Sequence, residues 1–443
     1  SPMSCQDPVE ARLYRREFHV MCIAFSLNHA AVTTPIIYAS SVLTEEIGNA
    51  SNAVLYGVCL LSSLFISNLF YAVLGPKRGL LTSMVLYALY LGLFAAAVSQ
   101  CARWDSHDKC VSAKALQAPV VYLGAVFGGM GAGLLWTCQG AFYALVCERL
   151  AAAESKPSAE VTGELAGIFG VVFLGFECAV RASTTLMRGP QYLNLSYMTT
   201  FCIWTGAACA SFVGFALFAT NLQPSSQAKK GSNCDKLLTA VRLWSDPKLW
   251  LLQCTNITFA FGAAWLAGYV SPRITSKALS SSFLGFATAI LSGLAALLSR
   301  VLAPVAGKIG KGPVLALGSL AFLCLGITSK WAKNPVEWGW GVFIFYVFMG
   351  IGRAVYETTN KAIVADVFPL EKSPSAFANV FVFGTGGSTA AYIFGAFKVT
   401  TPELYLLIVF AGLTVPGFMA ASALKAADAR SIANGDGYTE LGI

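Results

Sequence analysis

The sequence predicts an all-α membrane protein of twelve transmembrane helices arranged as two six-helix halves, and three observations predict it. Only 12% of the 443 residues are charged and 56% are hydrophobic, whereas a soluble globular domain carries about a quarter charged residues. Twelve stretches are apolar over the roughly 20 residues that a bilayer-spanning helix needs, at about 18–43, 52–74, 80–100, 119–147, 165–187, 197–220, 249–270, 281–305, 313–329, 338–364, 375–397 and 402–424. The longest polar connection, 221–248, divides them six and six. The layout that follows is a tail over 1–17, a first half over 18–220, a linker over 221–248, a second half over 249–424 and a tail over 425–443.

Taken in order, the first tail is polar and charged, and the apolar run after it is too long for a signal-peptide core, so no cleaved signal is expected. The net charge of +8 does not mark a nucleic-acid protein, because the cations are scattered through short loops rather than gathered on one patch. They report topology instead. The Lys/Arg bias places both termini and the linker in the cytosol, with plasma membrane as the default location and endolysosomal membrane behind it. Sequons at Asn49 and Asn194 then fall in outer loops as candidate glycosylation sites, while a third, at Asn256, lies within the seventh span. Cys101 and Cys110 bracket an outer polar loop and are either disulfide-bonded or two free thiols. Most other cysteines sit in apolar runs as small packing residues, and no spacing offers a metal site. In the linker, 234–244 reads as a surface amphipathic helix or as part of a disordered connection. Tyr438 and Leu441 stand at the spacing of a cytosolic sorting signal, a match that is common by chance.

The halves repeat each other. Met130-Gly-Ala-Gly133 followed by Trp136 in the fourth span is echoed by Met349-Gly-Ile-Gly352 followed by Tyr356 in the tenth. The turn Gly75-Pro-Lys-Arg-Gly79 after the second span has its counterpart in Gly307-Lys-Ile-Gly-Lys-Gly312 after the eighth. Two six-helix repeats joined in this way describe the major facilitator architecture. Gly129-x-x-x-Gly133 fits close helix packing better than a phosphate loop, and Gly384-Thr-Gly-Gly-Ser-Thr389 lacks the lysine that a phosphate loop requires.

Polar residues within the spans mark the candidate site, since an intramembrane charge costs about 2.5 to 3.5 kcal/mol even on lenient scales. Arg353, Glu357 and Lys361 recur at i, i+4 and i+8, with Tyr356 and Asn360 expected on the same side. They form either a working charge pair or a static helix-stabilising one. Glu177 and Arg181 repeat the i, i+4 pattern in the fifth span, where a structural or gating role is favoured. Asn28 and His29 on the first span, Trp136 and Gln139 on the fourth, and Asn256 and Trp265 on the seventh complete the expected cavity lining. Aromatic residues in apolar helices are more commonly packing, and His29 is more commonly a hydrogen-bonded histidine than a proton carrier. Lys77 and Arg78 at their tight turn either lock the halves together or snorkel to headgroups. With only His19, His29 and His107 and no nucleophile-base pairing, no enzyme and no cofactor are expected.

Leu74-Gly75-Pro76-Lys77 leading to Tyr87 and Tyr90, then Gly131-Ala-Gly-Leu-Leu-Trp136-Thr137-x-Gln139-Gly140, and finally Ala376-Phe-Ala-Asn379 together resemble the Unc-93-like family. The match is concentrated in about a quarter of the chain. The charges within the spans favour transport of ions or small polar solutes, whereas the resemblance implies the major facilitator fold and a regulatory or trafficking role as a subunit of a channel or receptor. The expected partners are thus the lipid bilayer, an unidentified small solute or ion, and in the second case a channel or receptor membrane protein. The tenth span departs from the family pattern, in which an acidic residue stands where this chain has Arg353. The receptor-escort branch also has longer terminal tails.

Overall fold

The computed structural model describes residues 8–106, 108–222, 240–368 and 372–433. The Tyr438 motif, His107 and the first part of the expected linker helix lie outside them. Eleven helices among the described residues are long and apolar enough to cross a membrane. A twelfth, Ser373–Ala396, completes the set, its polarity raised by Gly384-Thr-Gly-Gly-Ser-Thr389.

Helices α1 (Pro8–Val42), α2 (Glu45–Leu61), α3 (Ser67–Ser99), α4 (Gln117–Glu154), α5 (Ser158–Arg188) and α6 (Tyr197–Phe218) build the first half. Helices α7 (Pro247–Trp265), α8 (Leu284–Ile309), α9 (Lys311–Trp331), α10 (Phe343–Val355), α11 (Ser373–Ala396) and α12 (Thr400–Ala433) build the second. Several begin outside the apolar windows because polar residues beyond the hydrocarbon zone find partners. At the start of α1, Arg15 reaches Glu154 and Glu164, each at 2.7 Å. Helix α2 begins with Glu45 and Glu46, where carboxylates suit the positive end of the helix dipole. The polar loop after α3 is an antiparallel hairpin of β1 (Cys101–Trp104) and β2 (Cys110–Ala113), closed by a Cys101–Cys110 disulfide. The start of α1 at Pro8 and the end of α12 at Ala433 lie on the face opposite this hairpin.

Among the described residues, three π-helical stretches interrupt the spans: Ser62–Ile66 after α2, Leu266–Thr275 after α7, and Tyr356–Asn360 after α10. Such wide turns recur at functional sites because they rotate every later side chain relative to the earlier ones. The one after α2 continues into α3, whose backbone breaks at Gly75 with φ 71° and ψ 177°. Gly310, between α8 and α9, adopts the corresponding φ of 90°, so the two halves turn by the same device.

Glycine contacts show how the repeat is registered. Gly129 lies against Leu55 and Val58 of α2, and Gly131 against Tyr87 of α3. Gly350 lies against Leu291 and Leu294 of α8, and Gly352 against Phe322 of α9. By the helices touched, Gly129 and Gly131 are the counterparts of Gly350 and Gly352. This corrects the alignment through the methionines by two residues, and Gly129-x-x-x-Gly133 does pack α4 on α2.

The halves meet along α2 with α11 and α5 with α8, and where α1 crosses the π segment following α7. The first half has one continuous core, whereas the second has two, separated along α10 between Met349 and Ala354. That gap is where Arg353 sits.

A Cβ placed at Gly75 or Gly310 would meet nothing within 4 Å, so substitution there is penalised by backbone conformation alone. Gly75→Ala and Gly310→Ala should each lower stability by about 1–3 kcal/mol, measured by thermal unfolding in detergent. Gly140→Ala, at a helical site with similar space, should not.

Candidate functional site

The centre of the molecule is organised by one face of α5. Phe169, Phe173, Glu177 and Arg181 follow each other at intervals of four residues, so an aromatic stripe turns into a charged one at mid-helix. Glu177 is 2% exposed and is shared by two arginines. Arg181 Nη2 donates to its Oε1 at 2.7 Å, and Arg353 Nη1 reaches its Oε2 from α10, across the seam between the halves, at 2.8 Å. Ser292 of α8 donates to the same Oε2 at 3.3 Å and accepts a hydrogen bond from Arg181 Nη1. Arg353 stands 4.0 Å from Glu357, whose other oxygen is held by Lys361 at 2.6 Å. Arg353 is therefore paired across the seam more closely than along its own helix, which corrects the expectation of an isolated i, i+4 pair. Glu177 and Arg181 belong to the same cluster rather than to a separate one.

One turn along α5 from Glu177 lies an aromatic box. His29 stacks on Phe25 at 5.7 Å and 9°, and meets Phe173 at 5.0 Å, Trp136 at 5.3 Å and Tyr87 at 6.4 Å. Phe169 stacks on Phe173. His29 also lies within electrostatic reach of Glu177, Arg181 and Arg353. Its Nδ1 is buried without a hydrogen-bond partner among the described residues. On the opposite wall, Tyr356 stacks on Phe259 at 3.9 Å and 5°.

Other expected lining residues are engaged elsewhere. Asn28 donates to Ala208 O and Ser211 Oγ of α6, at 3.2 and 3.0 Å, because it sits about 100° round the helix from His29. Asn360 donates to Asn256 Oδ1 at 3.0 Å, and Asn256 donates to Gln253 at 2.7 Å, forming an amide chain that ties α7 to the π-turn after α10. That turn rotates Asn360 off the face shared by Arg353 and Glu357. Trp265 donates to Ser329 of α9 and stacks on Tyr269, and so is packing. Gln139 is buried on α4.

The hairpin face is closed across the seam. Glu45 bonds Arg273 of the second half at 2.7 Å and lies 3.7 Å from Lys109 of the hairpin. Burial lowers the Lys109 amine below the ordinary lysine value, against the pull of Glu45. Lys398 pairs with Glu46. Asn49 is fully buried, accepting from Ser40 at 2.8 Å and donating to Gly268 O at 3.5 Å. It is wedged where a Cβ at Gly268 or Gly395 would approach it to 2.6 or 2.9 Å. There is no room for a glycan, which overturns the expected acceptor; the early start of α2 draws this residue into the bundle. Asn194 is exposed. Gly285 lets α8 touch α5, since a Cβ there would stand 2.2 Å from Arg181 O. On the opposite face the ion pairs Arg15 with Glu154, Lys311 with Asp366, and Lys248 with Asp428 each stay within one half.

Comparison with known proteins agrees with this architecture. The chain is 25% identical to bovine Protein unc-93 homolog A, over 83% of this chain and 84% of that protein, and 23% identical to the mouse and human proteins, over 86% and 87% in each case. The chain is an Unc-93 homologue. Among solved structures, a point mutant of the nucleoside transporter NupG superposes with a TM-score of 0.63 at 13% identity, covering 93% of this chain and 99% of that one. The inward-open xylose transporter XylE of E. coli gives 0.61 at 11%, covering 93% and 95%. These likenesses establish the major facilitator fold. No protein-family model matches the chain.

The motifs on which the sequence resemblance rests acquire physical roles. Gly75 makes the turn. Lys77 Nζ donates to Ala216 O and Ala219 O, capping the end of α6 within its own half. It does not bridge the halves in this conformation, and neither does exposed Arg78. Asn379 accepts from Trp244 at 2.7 Å and donates to Ala240 O at 3.0 Å, so it docks the end of the linker on α11. Of the expected linker helix, 240–242 are helical and pass into a 3-10 turn at Leu243–Ser245. Ser292, Glu45, Arg273 and Lys109 escaped sequence reasoning. A serine in an apolar helix gives no signal, and the other three lie at span ends, where charges are expected anyway.

Replacing Glu177 with Gln leaves two buried guanidinium groups sharing no carboxylate, and breaking such a pair costs about 3–5 kcal/mol. Glu357→Gln, at a more exposed pair, should cost less than about 1 kcal/mol. Thermal unfolding of the two variants side by side measures the difference. Glu45→Gln should speed hydrogen–deuterium exchange in 266–275 by severalfold, and an unchanged rate would show that Glu45 does not hold this face shut.

Proposed function

We propose that this Unc-93 homologue moves a small polar solute or ion across its membrane by rocking one half against the other, and that it is not an enzyme. The observation that carries the reading is the Glu177–Arg353 contact, a buried ionic link between the halves at mid-membrane. Burying such a charge is costly, and a contact that joins the halves where they separate is suited to being made and broken. The closed hairpin face, set against ion pairs confined within each half on the other face, supports one of two alternating states. With both termini in the cytosol, as the loop charges favour, the closed face is the outer one, and the plasma membrane is the default location. Exposed Asn194 is then the candidate glycosylation site. The similar solved structures are transporters of nucleosides and of xylose, which supports a small-solute reading.

The test is uptake into vesicles holding the purified protein, scored against a panel of small polar solutes and ions. The variant Arg353→Gln breaks the link while Glu177 keeps Arg181 and Glu357 keeps Lys361, so it should fold and lose at least about tenfold in flux, equivalent to about 1.4 kcal/mol. Unchanged flux would sink the assignment of this link.

The internal satisfaction of Glu177 by two arginines and a serine also favours a second reading, in which the cluster is static and the protein is a regulatory or trafficking subunit of a channel or receptor. A stoichiometric second membrane protein retained through mild-detergent purification, with no flux for any solute, would support it.

A further inference from the structure

The central cluster has more donors than its carboxylates satisfy. Two buried guanidinium groups share Glu177, while Glu357 is drawn off by Lys361. The Nε atoms of both Arg181 and Arg353 are buried with no hydrogen-bond partner among the described residues, that of Arg353 having Glu357 Oε1 at 4.0 Å, in ion-pair range but beyond a hydrogen bond. Buried unpaired donors are uncommon, and each calls for an explanation. One helical turn along α5, about 5–6 Å away, the side chains of Phe25, His29, Trp136, Phe169 and Phe173 pack against one another as the aromatic box. An aromatic box by itself also suits a cation. Two arginines one turn away disfavour a cation and favour an anion.

Resting on the proposed solute pathway, we propose that the seam is an exchangeable anion site whose ligand is a small organic anion with a flat apolar body, of the aryl carboxylate class. The anionic group takes the place of Glu177 on Arg353, and the body lies against the aromatic box. Glu177 is the tethered stand-in. When the halves part, it remains with Arg181 on its own helix, and Arg353 is left to the incoming anion. No bond is made or broken beyond hydrogen bonds, and the incoming anion adds one negative charge, so that two carboxylates face the two guanidinium groups that had shared one.

This arrangement makes an unusual prediction: removing the carboxylate that holds the site together should strengthen ligand binding. The probe is benzoate, titrated into detergent-purified full-length protein at constant ionic strength, with unfolding temperature and tryptophan fluorescence as readouts. Acetate supplies charge without the body, benzyl alcohol the body without charge, and benzylamine the opposite charge. Wild type should be stabilised by benzoate and not by the other three. In Glu177→Gln the half-saturating benzoate concentration should fall by about tenfold or more, as the partner charges left unpaired gain a counter-ion. In Arg353→Gln, which keeps the Glu177–Arg181 pair, the response should vanish. If Glu177→Gln fails to fold, Glu177→Asp, which draws the carboxylate back by one methylene, should show the same gain in weaker form.

No response to benzoate in wild type and in a folded Glu177 variant would overturn the proposal. So would an equal response to acetate, or stabilisation by benzylamine. Because the readout is binding, its failure would leave rocking-type transport of another solute standing, whereas binding without flux would contradict transport and keep the site.

Discussion

The arrangement depends on how Glu177 is kept charged in the middle of an apolar bundle. A lone carboxylate there would be costly, so its burial requires Arg181 from its own helix, Arg353 from the other half and Ser292 from α8. The requirement reaches outward. The second half cannot keep one continuous core past Arg353 and instead forms two clusters on either side of it. The backbone of α10 widens into a π-turn directly after Arg353 and Val355. This separates the face that meets Glu177 from the face that meets Asn256.

Closure of the hairpin face uses different physics from the centre. There the halves touch through small residues, with Gly285 of α8 on the backbone of α5 and Gly268 and Gly395 around the Asn49 amide. A rim of ion pairs seals them: Glu45 with Arg273, and Glu46 with Lys398. Tyr56 stacks on Tyr392 across the same boundary. Close contacts of this kind gain dispersion energy only when fully engaged, and partly exposed ion pairs contribute little each. The face therefore closes through many weak interactions, whereas the centre closes through one strong one.

Helix α5 links these features. Its four-residue spacing puts Phe169 and Phe173 beside the aromatic residues of α1 and α4, and Glu177 and Arg181 beside α8 and α10. Any movement of α5 relative to α8 thus acts on the aromatic box and the ionic link together.

The sequence by itself determined the fold class, the number of spans, the six-and-six division and the turns at Gly75 and Gly310. Those follow from local quantities: hydrophobic length, charge density and the conformational freedom of glycine. It also showed that Glu177, Arg181, Arg353 and Glu357 are improbable in lipid, since the cost of a buried charge does not depend on which neighbour offsets it. Only the tertiary structure decided who pairs with whom. Periodicity joined Arg353 to Glu357 because they are four residues apart, yet Glu177, 176 positions away, is closer. Adjacency in sequence placed Asn28 beside His29, yet the helical rotation sends one to α6 and the other to the aromatic box. The π-turns and the early start of α2 escaped the sequence reading because each depends on contacts made by a different helix. The fold was therefore legible from local composition, while the site was set by the distance between chain segments that folding alone brings together.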